Sequence, residues 1–226
     1  MKRLGFILLL AWIFLTAGCS RLPELKPAAG DLKYAVPKEC RAVFPQGKWQ
    51  FTHAIEAAYP GGGEKLLMGV SVVDASRRTI DAALMTVEGM VLLQASLDKT
   101  LQVQRVLQPF DREGFAAGLL ADIRLIFLEP ESGSVQTGII EASAGADAQP
   151  GCRYRGDDGM HTDILPGNGH DWQIARYHPS GSLVRTVSAR SAGGQAGFPG
   201  RMQLTAPGPA GYTLKMKLID AVQVGD

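Results

Sequence analysis

The sequence lacks the signatures by which most enzymes and metal sites announce themselves. Its four histidines, His53, His161, His170 and His178, fall in no HExxH or HxH pattern. No cysteine pair has zinc spacing, no GxSxG elbow or SxxK occurs, and the glycine loops "PGGGEK" and "GNGHDW" lack the Lys-Ser/Thr of a phosphate cradle. Neither sign of charge dominates: 23 basic residues face 22 acidic ones. There is thus no electrostatic case for nucleic acid. The longest apolar run, Leu4–Leu15, falls short of the roughly 20 residues that span a bilayer. These absences point away from a metalloenzyme, a nucleotide-binding enzyme, a nucleic-acid binder and an integral helical membrane protein. No cofactor and no metal is expected.

What is present begins at the N-terminus. Met1-Lys2-Arg3 and the short apolar run have the layout of a signal peptide, here residues 1–18. The run closes on Leu15-Thr16-Ala17-Gly18-Cys19, which resembles a bacterial lipobox. That resemblance implies cleavage before Cys19 and acylation of Cys19. Ser20 follows in place of Asp, which by the sorting rule of that class implies the outer membrane. Residues 19–38 then read as acylated anchor and linker, with Pro and Gly in "SRLPELKPAAGDLKYAV" breaking any helix. Residues 39–226 form the domain. Two acyl chains or more make a stable anchor.

Two cysteines remain, Cys40 and Cys152. An oxidising compartment permits a bridge. A Cys40–Cys152 bridge is expected; the alternative is two separate buried thiols, since spacing alone does not show that the Cα atoms come close enough.

From Lys48 onward the apolar pattern has period two, punctuated by turns: 49–57, 65–74, 79–87, 90–97 and 100–107 make a meander of antiparallel strands. The period changes in "DREGFAAGLLADIRLIFL", 111–128. There Phe115, Leu119, Ile123 and Phe127 recur at steps of four, and Leu120 widens the stripe. Asp122 and Arg124 are assigned to the outer surface, Asp111 to the cap, and Glu129-Pro130 to the end. Strands resume over 136–141, 151–155, 162–165, 171–177, 183–188, 201–205 and 212–224. In the last of these Tyr212, Leu214, Met216 and Leu218 share a face. The fold class is mainly β (α+β): one strongly curved antiparallel sheet, a half-barrel, with a helical lid. The lid face is Phe115, Leu119, Leu120, Ile123 and Phe127. Met68, Val70, Leu84, Met90, Leu92, Met216 and Leu218 are the candidate lumen residues. Met is suited to such a lining because it fills irregular space.

The segments "VFPQGKWQF", "LMTVEGMVLLQA", "PFDREGFAAGLLADIRLIF" and "FPGRMQLTAPGPAGYTLKMKLIDAVQV" resemble the LolA/LolB lipoprotein-carrier fold. More narrowly, they are similar to a family of LolB-like outer-membrane lipoproteins often encoded beside fatty-acid-like or aryl-polyene biosynthesis genes. The resemblance spans about Cys40 to Val224. It implies a half-barrel of about 11 strands, a helical lid and a cavity for acyl chains. The implied partners are a lipid or lipoprotein bearing an acyl chain, the membrane itself through the N-terminal lipid, and a periplasmic carrier protein. LolB has a protruding apolar loop in its early strands. Here those connections are "DASRR", charged, and "VEG", short, which favours lipid or polyene-lipid handling over general lipoprotein insertion. Two rival readings are a structural lipoprotein with a solid core, and a hydrolase or acyltransferase accessory working at His161 and Asp163.

Overall fold

In the computed structural model the described residues are 21–225, apart from 29, 31, 61, 132 and 142–147. Cys19, the expected lipidation site, lies outside them. Among the described residues thirteen strands form a single open antiparallel sheet. In chain order they are β1 (Leu25–Pro27), β2 (Lys48–Tyr59), β3 (Gly63–Asp74), β4 (Thr79–Met85), β5 (Val91–Leu97), β6 (Leu101–Val106), β7 (Ser134–Ile140), β8 (Gln149–Arg155), β9 (His161–Pro166), β10 (Trp172–Tyr177), β11 (Leu183–Arg190), β12 (Arg201–Ala206) and β13 (Tyr212–Gln223). Among the described residues two helices accompany it, α1 (Leu32–Ala42) and α2 (Phe115–Phe127).

The spatial order is β1-β7-β8-β9-β10-β11-β12-β13-β2-β3-β4-β5-β6. The first long strand, β2, therefore sits mid-sheet and pairs with the last, β13. Register irregularities at Leu84/Met85, Gln94/Ala95, Arg176/Tyr177 and Leu218/Asp220 bend the strands. Each adds local twist, which gives the sheet a concave and a convex face.

The expected meander and helix are present, with three differences. The segment read as an irregular linker carries β1 and most of α1. Pro37 is the sixth of the eleven residues of α1, past the first turn, so the helix carries it at the cost of one backbone hydrogen bond. β1 pairs with β7 at the sheet edge. Gly138 makes that approach possible, since a Cβ there would stand 2.2 Å from the Lys26 carbonyl oxygen. The third difference is at the start of α2. Asp111 does not cap the helix; Gly114 does, in a left-handed conformation with φ 78° and no side-chain cap.

The core lies on the concave face. α1 buries Val36 and Cys40 against the β7–β9 side, and Cys40 is disulfide-bonded to Cys152 of β8, with Cα atoms 6.3 Å apart. α2 runs across the remaining concave surface.

Candidate functional site

Strand alternation decides which side chains meet α2. On β2 the inward positions are Phe51, His53, Ile55 and Ala57, and their partners on β3 are Ser71, Gly69, Leu67 and Lys65. Leu84 on β4, Leu92 and Leu93 at the β5 bulge, and Met216 and Leu218 on β13 are buried in the same cluster. These include four of the seven expected lumen residues. The other three lie elsewhere. Met68 and Val70 occupy the alternate, convex-facing positions of β3, because a shift of one residue moves a strand's whole apolar set to the other face. Met90 is 54% exposed at the end of the β4–β5 turn, beside Val87 at 53%. That turn is as short as expected, and it exposes Val87 and Met90 on either side of Glu88.

The five expected lid residues all pack on the core. Leu120 and Phe127 are buried; Phe115, Leu119 and Ile123 are half-buried. The two ends of α2 differ. At the C-terminal end Phe127 stacks on Phe51 with ring centroids 4.4 Å apart, and Phe198 meets Phe51 edge-on at 4.9 Å. Such pairs add about 0.5–1.5 kcal/mol beyond burial. This end is sealed.

The N-terminal half of α2 covers open space. A cavity of about 340 Å³ lies between it and β2, β3, β4 and β13, and is lined mainly by Ile55, Leu67, Leu84, Phe115, Leu119 and Leu214. That volume is within the roughly 300–1,000 Å³ of small-ligand sites. Gly114 and Gly118 present bare backbone to it, and a Cβ on either would meet nothing within 4 Å. A second, more polar hollow of about 480 Å³ lies along the opposite flank of α2, between Ala117, Arg124 and the β8–β10 strands.

One polar cluster borders the apolar cavity. Asp122, expected on the outer surface, is buried. Its Oδ1 accepts from Arg185 Nε on β11 at 2.9 Å, and its Oδ2 accepts from the Tyr212 hydroxyl on β13. The Arg185 guanidinium also stands 5.3 Å over the Tyr212 ring. Burial raises the Asp122 pKa, opposed by the bonds from Tyr212 and Arg185. Burial, reinforced by the Asp122 charge, raises that of Tyr212. A carboxylate on the helix is thereby tied to two strands of the sheet.

His161 and Asp163 do not form a site with the cavity. Asp163 is held on the convex side by Arg153, whose Nε and Nη2 donate at 2.6 and 2.7 Å, while the neighbouring Cys152 and Tyr154 point into the core. Among the described residues no group of three or more His, Cys, Asp or Glu is placed to hold a metal, and no helix is long and apolar enough to cross a membrane.

No protein-family model matches the sequence, and no curated protein matches it. Solved structures do resemble it. The crystal structure of a LolA superfamily protein from Nitrosomonas europaea aligns over 88% of this chain and 95% of its own, with a TM-score of 0.57 at 16% identity. A domain from Vibrio parahaemolyticus described as an outer membrane lipoprotein-sorting protein aligns over 82% of this chain and 89% of its own, with a TM-score of 0.44 at 8% identity. The architecture of this protein, an open antiparallel sheet with a helix laid across its concave side, is that of the LolA superfamily structure.

Proposed function

We propose that this protein is a non-catalytic carrier that holds the acyl chain of a lipid or acylated protein beneath α2. In this reading it is tethered to the outer membrane through Cys19, faces the periplasm, and exchanges cargo with a periplasmic carrier protein. The observation that carries the reading is the apolar cavity under the N-terminal half of α2. A structural lipoprotein with a solid core has no use for that space. An acyl chain needs apolar walls, few polar partners and an entry route, and the bare backbone at Gly114 and Gly118 supplies room beside the helix. The reading assigns no catalytic step, and no histidine lines the cavity.

The test is uptake of a fluorescent fatty-acyl probe, with native mass spectrometry for lipid that co-purifies from the host. Gly118→Ala should raise stability by about 0.5–1 kcal/mol, since its Cβ enters open space and alanine favours helix. Gly118→Leu should fill the cavity and weaken probe affinity at least about tenfold while the domain stays folded. If the wild-type protein takes up no probe at micromolar concentration, the carrier reading gives way to the structural one.

A further inference from the structure

The convex face carries a third hollow, of about 530 Å³, on the outer side of β11, β12, β13 and β2. Its charged residues are Arg190, Arg201, Lys215, Lys217 and Glu56, an excess of three positive charges in a chain that is otherwise near neutral. The register explains the clustering: Arg190 is opposite Arg201 and Arg201 is opposite Lys217, while Lys215 faces Glu56 of β2. Like charges directly opposed across strands destabilise a sheet, so folding alone gives no reason for the Arg190–Arg201–Lys217 row. Arg190 has a carboxylate partner, Asp171 at 3.5 Å, whereas no ion pair engages Arg201, Lys215 or Lys217 among the described residues. Leu66, 57% exposed, borders the hollow on β3.

The start of the described chain lies on this same face. The Pro23 carbonyl accepts from Arg153 Nη2 at 2.9 Å on the convex side of β8, and Leu22 N is next to Gly181 in the β10–β11 turn. Pro23 is four residue steps from Cys19, a reach of at most about 14 Å. An acyl group on Cys19 therefore has no long tether. It would bring the bilayer to the convex side at the β10–β11 turn, and the cations lie on that same side toward the opposite end of β11, where Arg190 closes the strand.

We propose that the convex face docks on the anionic phosphate layer of the membrane, with Arg201, Lys215 and Lys217 contacting lipid headgroup phosphates. The cavity under α2 then opens away from the bilayer, toward cargo arriving from the periplasm. The orientation rests on acylation of Cys19; the phosphate contact rests on the cationic face alone.

The experiment uses the mature protein in vesicles that contain phosphatidylglycerol bearing a photoreactive headgroup. Cross-links should fall on β12 and β13. Each cation near an anionic surface contributes about 1 kcal/mol, so Lys215→Gln/Lys217→Gln should lower the docked-to-free ratio by roughly 25-fold. Lys99→Gln, in the exposed β5–β6 turn, should change nothing. Cross-links on the concave side, equal docking to neutral vesicles, insensitivity to the double substitution, or displacement by millimolar inorganic phosphate would each overturn the proposal. Intact mass reports acylation of Cys19 separately. If that modification is missing, flotation of the protein with the same vesicles still reads the phosphate contact.

Discussion

His53 stands between Phe51 and Phe127 at the sealed end of the sheet, 5% exposed, and its Nε2 has no hydrogen-bond partner among the described residues. Burial lowers its pKa from 6.5 to about 4. As pH falls through 6.5 the unfolded chain takes up a proton that the folded chain refuses until about pH 4. The neutral ring thus contributes stability that is fully present above 6.5 and is lost across the window from 6.5 down to 4. The loss reaches about 3 kcal/mol at the lower end and about 2 kcal/mol at pH 5. His53→Leu removes the titrating group and keeps the apolar contact. Urea unfolding at pH 7.5 and pH 5 should show the variant losing less stability than the wild type, by about that 2 kcal/mol. Equal losses would mean the ring is solvated or paired in the folded state.

At the scale of the element, α2 is fixed by aromatic stacking at its C-terminal end and, near its middle, by the polar tie from Asp122 to Arg185 and Tyr212. Asp122→Asn removes the charge and leaves Arg185, one-quarter exposed, without its carboxylate. The expected loss is about 1–3 kcal/mol of stability, below the full value for a buried pair because water reaches the guanidinium. The functional expectation is more specific. If the tie holds the helix closed, acyl-probe association should be faster in Asp122→Asn, whereas a matched core variant such as Leu125→Ala should lose stability without that change. Stopped-flow uptake of both variants decides it; an unchanged association rate in Asp122→Asn removes the tie from the opening step.

This tie was legible in the sequence. Phe115, Leu119, Asp122 and Ile126 follow i, i+4, i+7, i+11, so Asp122 lies on the apolar stripe, and a carboxylate there requires a buried partner. Hydrophobicity assigned residue by residue placed it outside. The phase of β3 was harder to read. "KLLMGVSVVD" is apolar on both faces, with Leu67 and Val73 inward and Leu66, Met68, Val70 and Val72 outward. Only pairing with Phe51 and His53 of β2 fixes which set is buried. β1 left no signal at all: three residues ending in proline at an edge show no alternation, and they become a strand only because β7 offers Gly138. The α2 helix, the early hairpins and the long β13 were legible because each repeats one period over many residues.

For the whole molecule the decisive connection is Cys40–Cys152. It joins α1 to β8 across 112 residues of sequence that contain β2 to β6, α2 and β7. Closing so long a loop in the unfolded chain is worth up to about 4–5 kcal/mol on the chain-entropy model. Val36 and Phe44 on either side of Cys40 belong to the same buried cluster as Ile164 and Leu204 of the sheet. Loss of the bond should therefore destabilise the fold globally and not merely release α1. Reduction of the wild-type protein is the cleaner experiment, because substitution at two fully buried positions also changes packing. The reduced protein should lose about 2–5 kcal/mol in urea unfolding. Amide exchange should accelerate in β13 and β2, at the centre of the sheet, as well as in α1 and β1. Faster exchange confined to α1 and β1 would show that the bond fastens only the N-terminal segment. That segment also sets the reach from Cys19 to the body, so a fully reduced protein should dock less uniformly on vesicles than the oxidised one.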